Sequence, residues 1–85
     1  MLVLTRSQKM VINVEYVDSI FIKKEIIEKQ EKYGLYCVMA SDQEKVAIAY
    51  YETEKEAIEE LKLMLTCWKH KQDIYFIRQE KAVLS

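Results

Sequence analysis

The alternation of apolar and polar positions predicts short strands along most of this chain. Apolar runs bounded by turn-forming residues occur in six places, and such runs are typical of strands. The polar residues 6–9 predict a turn between the first two strands, and residues 79–85 predict a fraying tail. We therefore expect strands at 2–4, 10–14, 19–23, 35–40, 46–51 and 73–78.

After the fifth strand the hydrophobic period changes to that of a helix. Thr53 and Glu56 have the spacing of a capping box, which begins a helix. The helix dipole is complemented by acids near the start, which are Glu54, Glu56, Glu59 and Glu60, and by bases at the end, which are Lys69, His70 and Lys71. We predict a helix over 54–70 with Leu63 facing solvent, about 150° from the centre of an apolar stripe. That stripe, which includes Trp68 as a core residue, consists of Ala57, Ile58, Leu61, Met64, Leu65 and Trp68.

The segment 23–33 is compatible with two local structures. Its charges pair at i,i+4, and Gly34 is a suitable helix C-cap. However, Ile26 and Ile27 are adjacent and have no apolar residue three or four positions after them. This pattern favours a third strand that runs on to a charged hairpin tip, with a short helix as the alternative.

Together these elements predict a single α+β domain over residues 1–85. We expect an antiparallel sheet of five to six short strands, with one long amphipathic helix packed on one face and a final strand after the helix. The balance of 51% hydrophobic and 32% charged residues is that of a folded globular chain.

Composition excludes several classes of function. The 13 basic and 14 acidic residues nearly cancel, so the chain has no general attraction for nucleic acid or anionic membrane. Gly34 is the only glycine, whereas phosphate-binding loops, dinucleotide fingerprints and nucleophile elbows need two or more. No apolar run has the length of a membrane helix, and no signal peptide is recognisable. We expect a cytoplasmic protein.

Cys37, Cys67 and His70 are the residues with the chemistry of a metal or catalytic site. Cys67 and His70 lie one helical turn apart, and with Cys37 and Asp73 they could hold zinc or form a thiol–imidazole pair. Zinc signatures usually pair cysteines, however, and no motif supplies an oxyanion hole. We favour a buried, reduced Cys37, a Cys67 at the core boundary and a solvated His70. The prediction is a protein without enzymatic activity, metal or cofactor.

The hairpin of the strands 35–40 and 46–51 is apolar on both faces. Strict alternation puts Leu35, Cys37, Met39, Val46, Ile48 and Tyr50 on one face, and Tyr36, Val38, Ala40, Ala47, Ala49 and Tyr51 on the other. Since one helix covers only one face, we predict that the other face docks a partner protein or forms a homodimer.

Tyrosines are abundant, with six in the chain, and tyrosine suits protein interfaces. Two alternative functions remain. Aromatic residues beside basic residues on a sheet could bind single-stranded nucleic acid, and Cys67 with His70 could serve a small enzyme. The candidate partner-binding residues are Tyr36, Ile48, Tyr50, Tyr51 and Leu63.

Three parts of the chain together resemble a known group of small proteins. They are the strand end at 13–14, the residues 17–22, and the stretch 49–57, in which Tyr51 and Thr53 begin a Tyr-x-Thr/Ser-x-x-x-Ala pattern. This combination is similar to small proteins encoded by phages, plasmids and prophages of low-GC Gram-positive bacteria. The resemblance implies a mobile-element accessory protein that docks on another protein, as inhibitors of host defence enzymes such as anti-CRISPR proteins do. It implies no catalytic residues.

Overall fold

The structure, a computed structural model, describes residues 1–5 and 10–77. These residues form six strands, one α-helix and a short 3-10 helix at Val14–Tyr16. The predicted α+β class is confirmed, including the final strand after the helix. The predicted turn at 6–9 and the tail 79–85 lie outside the described residues. The elements are β1 (Leu2–Leu4), β2 (Val11–Asn13), β3 (Val17–Ile27), β4 (Gln30–Met39), β5 (Lys45–Tyr51), α1 (Glu54–Lys69) and β6 (Ile74–Phe76).

The ambiguous segment 23–33 forms a hairpin. β3 and β4 pair antiparallel as far as Ile27 and Gln30. The two residues between them, Glu28 and Lys29, have φ values of 50° and 67°. Positive φ at both central residues is the geometry of the two-residue turn whose twist matches that of the flanking strands. The strand interpretation is confirmed, and the short-helix alternative is wrong.

The strands divide into two sheets of three. The larger sheet, with the order β3–β4–β5, has the long strands, and the smaller sheet, with the order β2–β1–β6, has strands of three residues each. In the smaller sheet β1 pairs antiparallel with β2 and parallel with β6. Parallel neighbours need a long connection, and nearly the whole chain lies between β1 and β6. The sequence predicted one antiparallel sheet, whereas the structure has two sheets. The second sheet was not predicted because its strands are only three residues long and come together only in the folded chain.

The helix begins as predicted. The Glu56 backbone N–H donates to the Thr53 hydroxyl over 3.2 Å, and that hydroxyl donates to the Glu56 carboxylate over 3.1 Å. At the other end the His70 N–H donates to the Thr66 carbonyl over 3.1 Å. No helix within the described residues is long and apolar enough to cross a membrane.

The core contains side chains from both sheets and from α1. Each short strand contributes its central residue, and α1 packs against all three strands of the larger sheet. The buried cluster consists of Val3, Ile12, Val14, Leu35, Cys37, Ile48, Ala49, Tyr51, Ala57, Met64, Tyr75 and Ile77.

A β-bulge at Ile48 changes which residues of β5 share a face. Leu35 pairs with Ala49 but Tyr36 pairs with Ala47, so Ile48 is an extra residue. Directly opposite residues lie on the same face, which puts Ala49 with Leu35 and shifts the two tyrosines that follow it. Tyr51 is therefore on the core side and Tyr50 on the opposite side, and the strict alternation predicted for this hairpin is wrong beyond the bulge.

The helix buries a different face from the predicted stripe. Glu60 is fully buried, whereas Trp68 is 50% and Leu65 45% exposed. Leu63, predicted to face solvent, is half-buried and packs against the core. The buried face is turned by roughly 60° from the predicted one. The prediction that Leu65 and Trp68 lie in the core was wrong. The side of α1 that faces the core carries Glu60, which accepts hydrogen bonds from the Tyr51 and Tyr75 hydroxyls.

Candidate functional site

The predicted tyrosine surface is an aromatic cluster on the side of the larger sheet opposite α1. Tyr36 stacks on Phe21 with 5.5 Å between ring centroids and meets Tyr50 edge-on at 6.2 Å. The rings lie over Gly34, where an added Cβ would be 2.5 Å from the Tyr36 ring. The aromatic rings on this face therefore cover one another, and Tyr36 is only 8% exposed.

Polar groups surround this aromatic cluster. The Tyr36 hydroxyl donates to the Glu25 carboxylate and lies 3.3 Å from the Tyr50 hydroxyl. Burial, and then the hydrogen bonds to Glu25 and Tyr50, raise the pKa of Tyr36 above its ordinary value. The Lys45 ammonium lies 5.9 Å from the Phe21 ring centroid, within reach of a cation–π interaction. Little of this face is free apolar surface.

The other predicted contact residues are not on that face. Ile48 and Tyr51 are 4% and 0% exposed and belong to the core. Leu63 packs against the same core from α1. The β-bulge moves Tyr51 inward, and the rotation of α1 moves Leu63 inward. Of the five residues expected to contact a partner, only Tyr36 and Tyr50 lie together on the side of the larger sheet opposite α1.

A buried carboxylate joins three elements at the centre of the molecule. The Tyr51 hydroxyl donates to one oxygen of Glu60 over 3.1 Å, and the Tyr75 hydroxyl donates to the other. Buried carboxylates need such hydrogen bonds. Sequence reasoning counted Glu60 among the acids that complement the helix dipole. Its spacing of three residues after Ala57 and four before Met64 was the missed signal, because that spacing puts all three on one face.

The two thiols and the imidazole differ in their exposure to solvent. Cys37 is fully buried, and burial raises the pKa of its thiol. Cys67 is half-buried against the core, and His70 is exposed at the end of α1. Both cysteines are free. Within residues 1–5 and 10–77, no three His, Cys, Asp or Glu side chains are grouped so as to hold a metal ion.

The smaller sheet has an exposed side that is almost entirely apolar. Its inner side carries the buried residues Val3, Ile12 and Tyr75. Strand pairing puts the alternate residues together on the opposite side, which we call the outer face. The outer face consists of Leu2, Leu4, Val11, Asn13, Ile74 and Phe76. The sequence contains a signal for the outer face. In each of the three strands consecutive residues are apolar, so that both sides of the strand are apolar.

A second exposed apolar surface is an open groove of about 240 Å³ between α1 and the beginning of β3. Leu65 and Trp68 form its wall on the helix side and are the half-exposed residues described above. We call it the β3 groove; it is lined by Val14, Val17, Asp18, Ser19, Ile20, Leu61, Leu65 and Trp68.

Known proteins add no residues to these two surfaces. No family model, no curated protein and no solved structure matches the chain. Within residues 1–5 and 10–77, the outer face and the β3 groove are the exposed apolar surfaces from which we infer function.

Proposed function

We propose that this protein is a small protein-binding module that docks on a partner protein through the outer face of the smaller sheet. One observation carries the proposal: Leu2, Val11, Ile74 and Phe76 are 38%, 55%, 46% and 56% exposed, on strands that pair directly. A sheet with one side in water normally alternates apolar and polar residues. An exposed apolar patch of neighbouring residues instead marks an interaction site.

The chemistry of the outer face fits a protein partner. No charged side chain is among its six residues, and charged residues are depleted at the centres of protein interfaces, where aromatics are enriched. Phe76 is the largest exposed side chain there and would be the anchor in a pocket of the partner. The near-zero net charge gives no support to nucleic acid as the partner.

The resemblance to mobile-element proteins supports a more specific form of this proposal. The chain would be a cytoplasmic accessory protein that acts by occupying a surface of a host protein, as an inhibitor of a defence system does. This function needs no catalytic group. Glu60, which is enclosed in the core, would then have only a structural role.

Photocrosslinking inside producing cells tests the docking surface. Benzoylphenylalanine replaces Phe76 on the outer face, and in a control protein it replaces Lys62, which is exposed on α1. We expect a discrete adduct with another protein from position 76 but not from position 62, and its loss when Val11→Lys is added. An absent adduct, an equal adduct from position 62, or an adduct that Val11→Lys leaves unchanged would overturn the proposal. An adduct of twice the chain mass would show that the outer face binds a second copy of this chain instead of a different protein.

A further inference from the structure

The strand β3 has a free edge. It is the first strand in the order β3–β4–β5 and is 11 residues long. Among the described strands, none pairs with the side of β3 that faces away from β4. A strand edge of this kind presents a row of backbone donors and acceptors that can pair with another chain.

The β3 groove lies beside this free edge. Val17 and Ile20 line it from the strand, and Leu65 and Trp68 line it from the helix. A strand added beyond β3 would extend the sheet next to the groove, with every second side chain on the side of α1. Such a strand would cover apolar surface that is now half exposed at Leu65 and Trp68.

We propose that the added strand is β3 of a second copy of this chain, paired antiparallel so that Phe21 lies opposite Phe21 of the second copy. Two three-stranded sheets then become one continuous sheet across a two-fold axis. The proposal goes beyond the docking function of the outer face and uses a different part of the molecule.

The residues of β3 are self-complementary in this register. On the side of α1, Ile20 lies opposite Ile22 of the second copy. A β-bulge between Val17 and Ser19 leaves Asp18 as an extra residue of β3 with no opposite residue on β4. Its side chain lines the β3 groove and lies across from Lys24 of the second copy. Because the axis is two-fold, each of these pairs occurs twice. Opposite charges directly across an antiparallel pair are favourable, as are pairs of β-branched residues. The strand thus offers both charge and apolar complementarity to its own copy.

The neighbouring registers do not have this complementarity. A two-fold axis at Ile20 puts the Asp18 carboxylate opposite Ile22. An axis at Ile22 puts the Lys24 ammonium opposite Ile20. Each of these registers places a charge against an isoleucine and leaves the opposite charge without a partner across the interface. Charges on an edge strand commonly prevent pairing; here they select one register.

The present surroundings of the two charges are compatible with the dimer. Asp18 lines the β3 groove and is exposed. The Lys24 ammonium lies 3.3 Å from the Glu31 carboxylate of its own chain, and both side chains are more than half exposed. An ammonium has three donors, so Lys24 can retain Glu31 and also bind Asp18 of a second copy.

Sedimentation velocity of the protein, at several concentrations, tests this dimer through a charge exchange. We expect a dimer whose dissociation constant rises about tenfold or more in Asp18→Lys and in Lys24→Asp, since like charges then face each other twice. The double variant Asp18→Lys/Lys24→Asp should restore the affinity of the natural chain. Trp68, the only tryptophan, should emit at shorter wavelength in the dimer than in the monomer.

Several outcomes would overturn the dimer. They are a monomer at every concentration, a dimer that Asp18→Lys and Lys24→Asp leave unchanged, and a double variant no better than the single ones. Circular dichroism checks that each variant is folded. Val11→Lys, on the outer face, should leave the dimer intact, while Asp18→Lys should leave the crosslink from position 76 intact. Failure of the dimer and failure of the docking function are therefore distinguishable.

Discussion

The hydroxyl of Tyr51 lies 3.1 Å from a carboxylate oxygen of Glu60, and both side chains are fully buried. Tyr75 donates to the second oxygen of the same carboxylate. These two hydrogen bonds connect α1 to β5 in the larger sheet and to β6 in the smaller one. A buried carboxyl group without hydrogen-bond partners costs stability, so these two contacts favour the side of α1 that carries Glu60 as the side facing the core.

Replacing the buried carboxylate should cost much of the stability of the domain. We expect Glu60→Ala to lower the free energy of unfolding by about 3–5 kcal/mol, because two buried hydroxyls lose an acceptor and a cavity forms. Glu59→Ala is the matched control: Glu59 is the exposed neighbour on α1, and its loss should change stability by less than about 0.5 kcal/mol. Urea unfolding measures both, and equal effects would show that Glu60 does not anchor the helix.

The contributions of Trp68 and Met64 to stability should differ in the order of their burial. Trp68 is half exposed, whereas Met64 is 1% exposed. Trp68→Ala should therefore lower the free energy of unfolding by about 1–2 kcal/mol, and Met64→Ala by about 2–5 kcal/mol. The comparison belongs at low protein concentration, where the proposed dimer is dissociated. A larger loss in Trp68→Ala than in Met64→Ala would favour the helix face predicted from the sequence.

Local patterns predicted the elements, because their signals lie within a few residues. Thr53 and Glu56 are sufficient to place the start of α1, and the adjacent Ile26 and Ile27 indicate a strand. The face of an element depends on its partners. One additional residue at Ile48 exchanges the sides of all the following residues of β5, and alternation within a single strand gives no sign of such a bulge.

The burial of Glu60 and the exposure of Trp68 could not be predicted for a related reason. Hydrophobic periodicity treats every carboxylate as solvated, but Glu60 is buried with hydroxyl donors that lie 9 and 15 residues away in the chain. Trp68 lies near the end of α1, in the wall of an open groove. The outer face joins β1 and β2 to β6, which follows them in the chain only after the larger sheet and α1. Its apolar rows therefore become one face only after folding.

Gly34 should be needed for the aromatic cluster of the larger sheet. A Cβ at this position would lie 2.5 Å from the Tyr36 ring and 3.2 Å from the Tyr50 ring. Gly34→Ala should therefore displace the Tyr36 ring and lower the free energy of unfolding by about 1–3 kcal/mol. In a Tyr36→Ala background the obstruction is gone, and the same substitution should cost much less, a coupling that a double-mutant cycle measures. Additive effects would mean that the close approach has no energetic consequence.

The hairpin turn between β3 and β4 should become more stable with glycine at its second position. Lys29 has a φ of 67°, a conformation that costs a residue with a Cβ about 1–2 kcal/mol and glycine almost nothing. Allowing for the greater freedom of glycine in the unfolded chain, Lys29→Gly should raise the free energy of unfolding by about 1 kcal/mol, which is roughly 4–8 °C in melting temperature for a domain of this size. Gln30→Gly, one residue later in β4, should have the opposite effect, because glycine weakens a regular strand. Thermal unfolding of the two variants decides the matter, since a turn without positive φ would make both substitutions destabilising.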